Sequence, residues 1–141
     1  MAGELPVEVV DVGRHVVLFE NDELLVLRMR GALLPGEMGA IARVHDARLL
    51  ERGRLFVLVD VTAAEPPSYA ARQELKERPK KLPPHWIAYV GIPREYSIVL
   101  DLIVRAASVL SSSKIVHRYF PDELTARAWL DEMRVKFSAN A

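Results

Sequence analysis

Residues able to do chemistry gather, in this sequence, where strands run out. Asp60 and Thr62 close the apolar run Leu55–Val61, at the edge where open α/β sheets take their ligands. Arg30, Arg94, Tyr96 and Phe120 stand near the exits of other strands that lead into helices. The same rim is therefore expected to carry Asp, Thr, Arg, Tyr and Ser side chains, a set suited to holding a polar ligand or a partner's chain. The plainer alternative is that Asp60 accepts N–H bonds from its own loop while Arg94 caps nothing and is solvated. No catalytic residue is assigned. Were an enzyme hidden here, Asp60 and Arg94 would be the pair to change, but no reaction is required by them. Ser68, at a helix start, is a candidate phosphoacceptor, because free N–H groups at a helix N-terminus stabilise added negative charge. Read as a plain N-cap, its loss would cost ~1 kcal/mol.

Other chemistries find less support. The four histidines, His15, His45, His85 and His117, fall on separate elements, with no i, i+4 pair on a helix, so no metal site is expected. His45, on an apolar stripe, reads as a half-buried core residue. Ser111–Ser113 form a turn without the glycines of a nucleophile elbow. The basic connector with Lys76, Arg78, Lys80 and Lys81 is diluted by Glu74 and Glu77 and has no interleaved aromatics. It reads as a solvated loop, with contact to an acidic partner or a lipid head group as the alternative, and it lacks the stacking side chains of a nucleic-acid groove. Nothing in these patterns calls for a cofactor.

The elements that must position these residues follow from periodicity. Val7–Val12 alternates weakly, as a short edge strand or an ordered lead-in. His15–Glu20 and Glu23–Arg30 read as a hairpin around Asn21-Asp22. In the second strand Leu25, Leu27 and Met29 point one way and Val26, Arg28 and Arg30 the other. After Gly31 and Pro35, Met38, Ile41, Ala42, His45, Leu49 and Leu50 make a helical stripe, with Arg43, Asp46, Arg48, Glu51 and Arg52 mostly away from it and Gly53 as its stop. Leu55–Val61 is a central parallel strand apolar on both faces. Residues 62–67 read as a loop, followed by a helix capped by Ser68 that runs to about Arg78. A Pro-rich connector, Arg78–His85, then leads to the strand Trp86–Ile92. In the long helix Tyr96–Ser112, Val99, Leu102, Ile103, Ala106, Val109 and Leu110 form the stripe, and Asp101 and Arg105 can pair on its outer side. The last strand is Lys114–Phe120. The closing helix, Asp122–Phe137, has Asp122 as cap, Glu123 near the positive end of the dipole, and Ala126, Trp129, Leu130, Met133 and Phe137 as its apolar face. The expected fold class is α/β: a mixed sheet of about five strands, an N-terminal hairpin followed by βαβαβα, covered by about four helices.

Composition agrees with one soluble domain over residues 1–141. Half of the 141 residues are hydrophobic and 27% are charged, with 19 basic against 19 acidic residues and no cysteine. Disulfides and thiolate metal sites are excluded. Zero net charge gives no general attraction to nucleic acid or to an anionic membrane, and it permits self-association. The start of the chain lacks the basic and apolar regions of a signal peptide. Ile98–Leu110 carries Asp101 and Arg105 and is too short to span a bilayer. A cytoplasmic protein without membrane insertion is expected.

Three segments carry a family resemblance. The final strand and helix start, Arg118-Tyr-Phe-Pro-Asp-Glu-Leu-Thr-Ala-Arg-Ala-Trp-Leu130, resembles the ending of bacterial SpoIIAA-like (STAS-type) domains. Leu55-Phe-Val-Leu-Val-Asp-Val-Thr62 looks like their central strand. Trp86-Ile-Ala-Tyr-Val-Gly91 with its helix is similar to the unit after it, so that the resemblance covers residues 15–135. It implies a regulatory or protein-interaction domain that is not an enzyme, docking a protein partner or a second copy of itself. In anti-sigma factor antagonists of this family a serine in an Asp-Ser-Ser-Gly-like helix start is phosphorylated. Here that region reads Asp60-Val-Thr-Ala-Ala-Glu-Pro-Pro-Ser68, with neither the Asp-Ser pair nor the Gly. Some SpoIIAA-like domains are also similar to the CRAL-TRIO lipid carriers. The alternative role is thus a carrier or sensor of a small apolar, lipid-like ligand held between sheet and helices.

Overall fold

The computed structural model describes residues 8–93, 95–98, 101, 102, 105 and 114–138. Six strands lie in chain order in one sheet: β1 (Glu8–Val12), β2 (His15–Phe19), β3 (Leu24–Gly31), β4 (Leu55–Ala64), β5 (His85–Val90) and β6 (Ile115–Phe120). β1, β2 and β3 pair antiparallel, and β3 through β6 pair parallel. The mixed α/β class is as expected. The sheet has six strands where about five were expected, because β1 pairs with β2 along its whole length, from Glu8↔Phe19 to Val12↔His15. Its side chains stay largely exposed, so its alternation is faint, but ladder bonds need only backbone N–H and C=O groups. The β2–β3 turn forms as anticipated, with Asn21 Oδ1 accepting from the N–H groups of Glu23 (2.9 Å) and Leu24 (3.0 Å).

Three helices are bounded by described residues: α1 (Glu37–Arg52), α2 (Tyr69–Gln73) and α3 (Glu123–Ser138). Within the helix anticipated over 96–112, residues 95–98, 101, 102 and 105 are helical. Val99, Ile103, Ala106, Val109 and Leu110 of its stripe lie outside the described residues, as do Ser111–Ser113.

Alternation sorts the core onto the two faces of the sheet. Val17, Phe19, Leu25, Leu27, Met29, Leu55 and Val57 pack with Ile41 and Leu49 of α1. Val26, Phe56, Leu58, Trp86, Ala88 and Val90 pack with Ala126, Trp129 and Leu130 of α3. Phe56 stacks on Trp86 at 4.9 Å between centroids, and Phe137 covers Trp86 at 5.0 Å. The central strand is buried from both sides, as its unbroken apolar run required.

Three local readings are corrected. Leu50 is 52% exposed while Asp46 is 5% exposed. The stripe therefore turns through Ala42, Asp46 and Leu49, which an i, i+4, i+7 path places on one face, and Asp46 meets the half-buried guanidinium of Arg78 there. Thr62, Ala63 and Ala64 are strand rather than loop, since β4 continues past a bulge to pair Arg30↔Ala63 and Gly31↔Ala64. The helix expected to reach Arg78 ends at Gln73 and tightens into a 3₁₀ turn, Glu74–Glu77. There Glu74 reaches across to accept from the N–H groups of Gly36 and Gly39, both at 2.9 Å. It caps α1, whose own N-cap position, Gly36, has no side chain to do so.

Candidate functional site

At the carboxyl rim, β3 and β4 bring Arg28 and Asp60 side by side in register. Arg28 Nη1 donates to Asp60 Oδ2 at 3.1 Å, and Thr62 N donates to Asp60 Oδ1 at 3.0 Å. The same guanidinium forks onto Glu123, with Nη1 to Oε1 at 2.8 Å and Nη2 to Oε2 at 3.2 Å. Glu123 also accepts from Arg127 Nε at 2.7 Å, and Arg127 forks onto Glu20 at 2.8 and 2.6 Å. Five alternating charges thus run from the β2–β3 turn through the first turn of α3 to Asp60 within β4. The helix start they hold is capped by Asp122, whose Oδ1 accepts from Thr125 N at 2.8 Å.

The electrostatics of this chain of charges decide its chemistry. Hydrogen bonds from Arg28 and then Arg127 bring Glu123 down to about 2. Glu20 is lowered mainly by its hydrogen bond to Arg127. For Asp60 partial burial opposes ionisation, but hydrogen bonds from Thr62 and Arg28 outweigh it and the carboxyl is lowered. All three acids are held as carboxylates, which accept hydrogen bonds but give no proton near neutrality. Their side chains are 24–35% exposed, so each pair adds only modestly to stability. What the network supplies is orientation, locking α3 against β3 and β4.

The anticipated rim is assembled only in part. Asp60 and Thr62 meet there. Arg30 is exposed beyond the bulge, and only its backbone is engaged, donating to His15 Nδ1 at 3.0 Å. Phe120 turns inward onto Trp129, 5.5 Å away, because β6 presents it to α3. Tyr96 is half exposed on the helix after β5, and Arg94 lies outside the described residues. Ser68 is exposed and serves as the N-cap of α2, its Oγ accepting from Ala71 N at 3.1 Å. The residues that reasoning from sequence missed are Arg28, Glu123, Arg127 and Glu20. Two signals were present: Arg28 had already been placed opposite the Leu25 face, and Glu123 and Arg127 stand four apart on one helix.

Gly91, at the end of β5, sits against Thr62. A Cβ there would come within 2.7 Å of Thr62 Cα and 2.8 Å of its N, and the backbone φ is +87°. Gly91→Ala is expected to lower stability by about 2 kcal/mol, from the left-handed backbone and the forced shift of β4. Thermal melting of the two proteins checks this, and an unchanged Tm would refute the close approach.

A second cluster lies on the opposite face, where α1 meets the Pro-rich connector. Asp46 accepts from Arg78 twice, Nε to Oδ2 at 2.9 Å and Nη2 to Oδ1 at 2.6 Å, and its Oδ1 lies 2.7 Å from His45 Nδ1. His45 and His85 rings meet edge-on at 5.2 Å, and His85 Nδ1 is 3.0 Å from Pro83 O. The basic connector is therefore not simply solvated: Arg78 is committed inward, and Glu74 caps α1. His45 is buried at 6% exposure rather than half-buried.

On the same face the helix after β5 is turned otherwise than its stripe suggested. Asp101 pairs with Arg105 at 2.9 Å, as expected, but it also reaches His117 Nε2 of β6 at 2.8 Å. Asp101 therefore faces the sheet, and Leu102, placed in the buried stripe from sequence, is 63% exposed. Beneath Asp101, Tyr119 stacks on Tyr89 at 5.5 Å, and burial pushes the Tyr119 hydroxyl up to about 12. Among the described residues no group of three or more His, Asp or Glu side chains could hold a metal ion, and no helix is long and apolar enough to cross a membrane. Two surface grooves are open to solvent, one beside Glu74 and Arg43, the other beside Arg127 and Asn21.

No family model matches the chain, and no curated protein matches it. Among solved structures it is similar to an uncharacterized protein from the DUF3478 family with a SpoIIAA-like fold, from Shewanella loihica PV-4. The likeness has 15% sequence identity and a TM-score of 0.46, over 92% of this chain and 98% of that one.

Proposed function

We propose that this protein is a non-enzymatic regulatory domain that works by docking another protein surface in the cytoplasm. The observation that carries the reading is the helix after β5. Its polar Asp101 is spent on the sheet, while Ile98 and Leu102, one turn apart, are 66% and 63% exposed. Adjoining apolar side chains turned to solvent make contiguous apolar surface, which marks contact sites where single exposed residues do not. The rim supports the same reading, because its carboxylates are matched by arginines and none is poised for proton transfer. The full-length protein, immobilised and exposed to its native lysate, is expected to retain a protein that the Ile98→Asp/Leu102→Asp variant does not. Equal retention by both, with a strictly monomeric wild type, would overturn the proposal.

A further inference from the structure

Along the helix after β5, the outward positions follow one another at intervals of three, four and three residues: Glu95, Ile98, Leu102 and Arg105. This spacing puts the four on a single helix face. All are exposed, Ile98 and Leu102 strongly so, and the Arg105 side chain is 74% exposed. The face is outward, and at its edge Asp101, four residues before Arg105, turns back to His117 of β6.

The order of these side chains has a symmetry that an ordinary solvated face does not need. Glu95 and Arg105 lie equally far from the midpoint between Ile98 and Leu102. When such a helix is laid antiparallel on a copy of itself about a two-fold axis at that midpoint, acid falls on base and apolar on apolar. Resting on the docking role proposed above, we infer that this protein pairs with a second copy of itself through this helix, Glu95 against the second copy's Arg105 and Ile98 against its Leu102. The contact is isologous: one patch serves both subunits and the assembly closes at two. Arg105 meets Asp101 through Nε, and the rest of its N–H fork can take the carboxylate of the second copy. A parallel arrangement would set Glu95 on Glu95 and Arg105 on Arg105, so the charges choose direction as well as partner. Zero net charge on the chain adds no general repulsion between copies. One helix crossing covers less than the ~1,600 Å² of a standard interface, so the pairing is concentration-dependent.

Sedimentation velocity over a concentration series tests this with the full chain. Wild type is expected to pass from monomer to dimer. Glu95→Arg and Arg105→Glu should each raise the dissociation constant about tenfold or more, since each opposes like charges across the contact. The double reversal should restore wild-type association. An equimolar mixture of the two single variants should dimerise as well, because one then carries two bases and the other two acids. Circular dichroism should show all of them folded, as the changed side chains are exposed. A wild type that is monomeric throughout, or a double reversal that stays as weak as its parents, would overturn the pairing. If that monomer nonetheless captures a lysate protein that Ile98→Asp/Leu102→Asp loses, only the self-pairing falls and the docking role stands.

Discussion

Asp46→Ala is expected to lower the folding stability by about 3 kcal/mol, measured by urea unfolding at neutral pH. Asp46 is 5% exposed and holds both Arg78 and His45. Removing one member of a buried pair leaves an uncompensated charge, a loss of roughly 3–5 kcal/mol. The lower end applies because the Arg78 side chain is 28% exposed and can turn partly to water. One consequence lies beyond the pair itself. Arg78 ties the connector to α1, and Leu82, four residues on, is buried in the core, so its packing should loosen with the tether. Asp46→Asn, which keeps the shape but not the charge, should fall between wild type and Asp46→Ala. A change below about 1 kcal/mol for Asp46→Ala would mean that the pair is not buried in solution.

Acid is expected to weaken the fold through the same cluster, beginning at His85. Burial first, and the neighbouring His45 second, lower His85 from 6.5 to about 4. As pH falls through 6.5 the unfolded chain takes up a proton that the folded chain refuses until about 4. Stability therefore declines with falling pH across that window, by about 3 kcal/mol at ~1.4 kcal/mol per unit. Asp46 continues the decline. Its carboxyl is lowered from 3.8 to about 2, where the hydrogen bonds from Arg78 and His45 prevail over burial. The stability it contributes is complete above 3.8 and is lost as pH falls toward about 2. Melting temperatures recorded from pH 7 to pH 4 should drop for wild type and flatten for His85→Gln, whatever that variant's stability at neutral pH. Parallel curves for the two proteins would refute the assignment to His85.

Much of the architecture was legible in the residues. The strand over 24–30, the start of the strand at Leu55, the helix over 37–52 with its glycine stop, and the closing helix with Ala126, Trp129 and Leu130 on its inner face all stand within a residue or two of their expected places. Each of these depends on side chains near one another in sequence. The candidate site was less legible. Asp60 and Thr62 were expected where the strand gives way to a loop, but both lie within β4, and Asp60's partner is Arg28 rather than any residue first grouped with it.

The chain by itself determined which residues share a face, because helix and strand periods are properties of the local backbone. It determined the mixed sheet as well, through an unbroken apolar run that only a strand covered on both sides can bury. The tertiary structure alone decided which face meets what. Glu123 answers to Arg28 from 95 residues away and Arg127 to Glu20 from 107, and no local pattern encodes a pairing at that distance. The helix after β5 shows the physical reason. Its periodicity placed Leu102 in the stripe meant for the sheet, but His117 on β6 claims Asp101 and Leu102 stands 63% exposed.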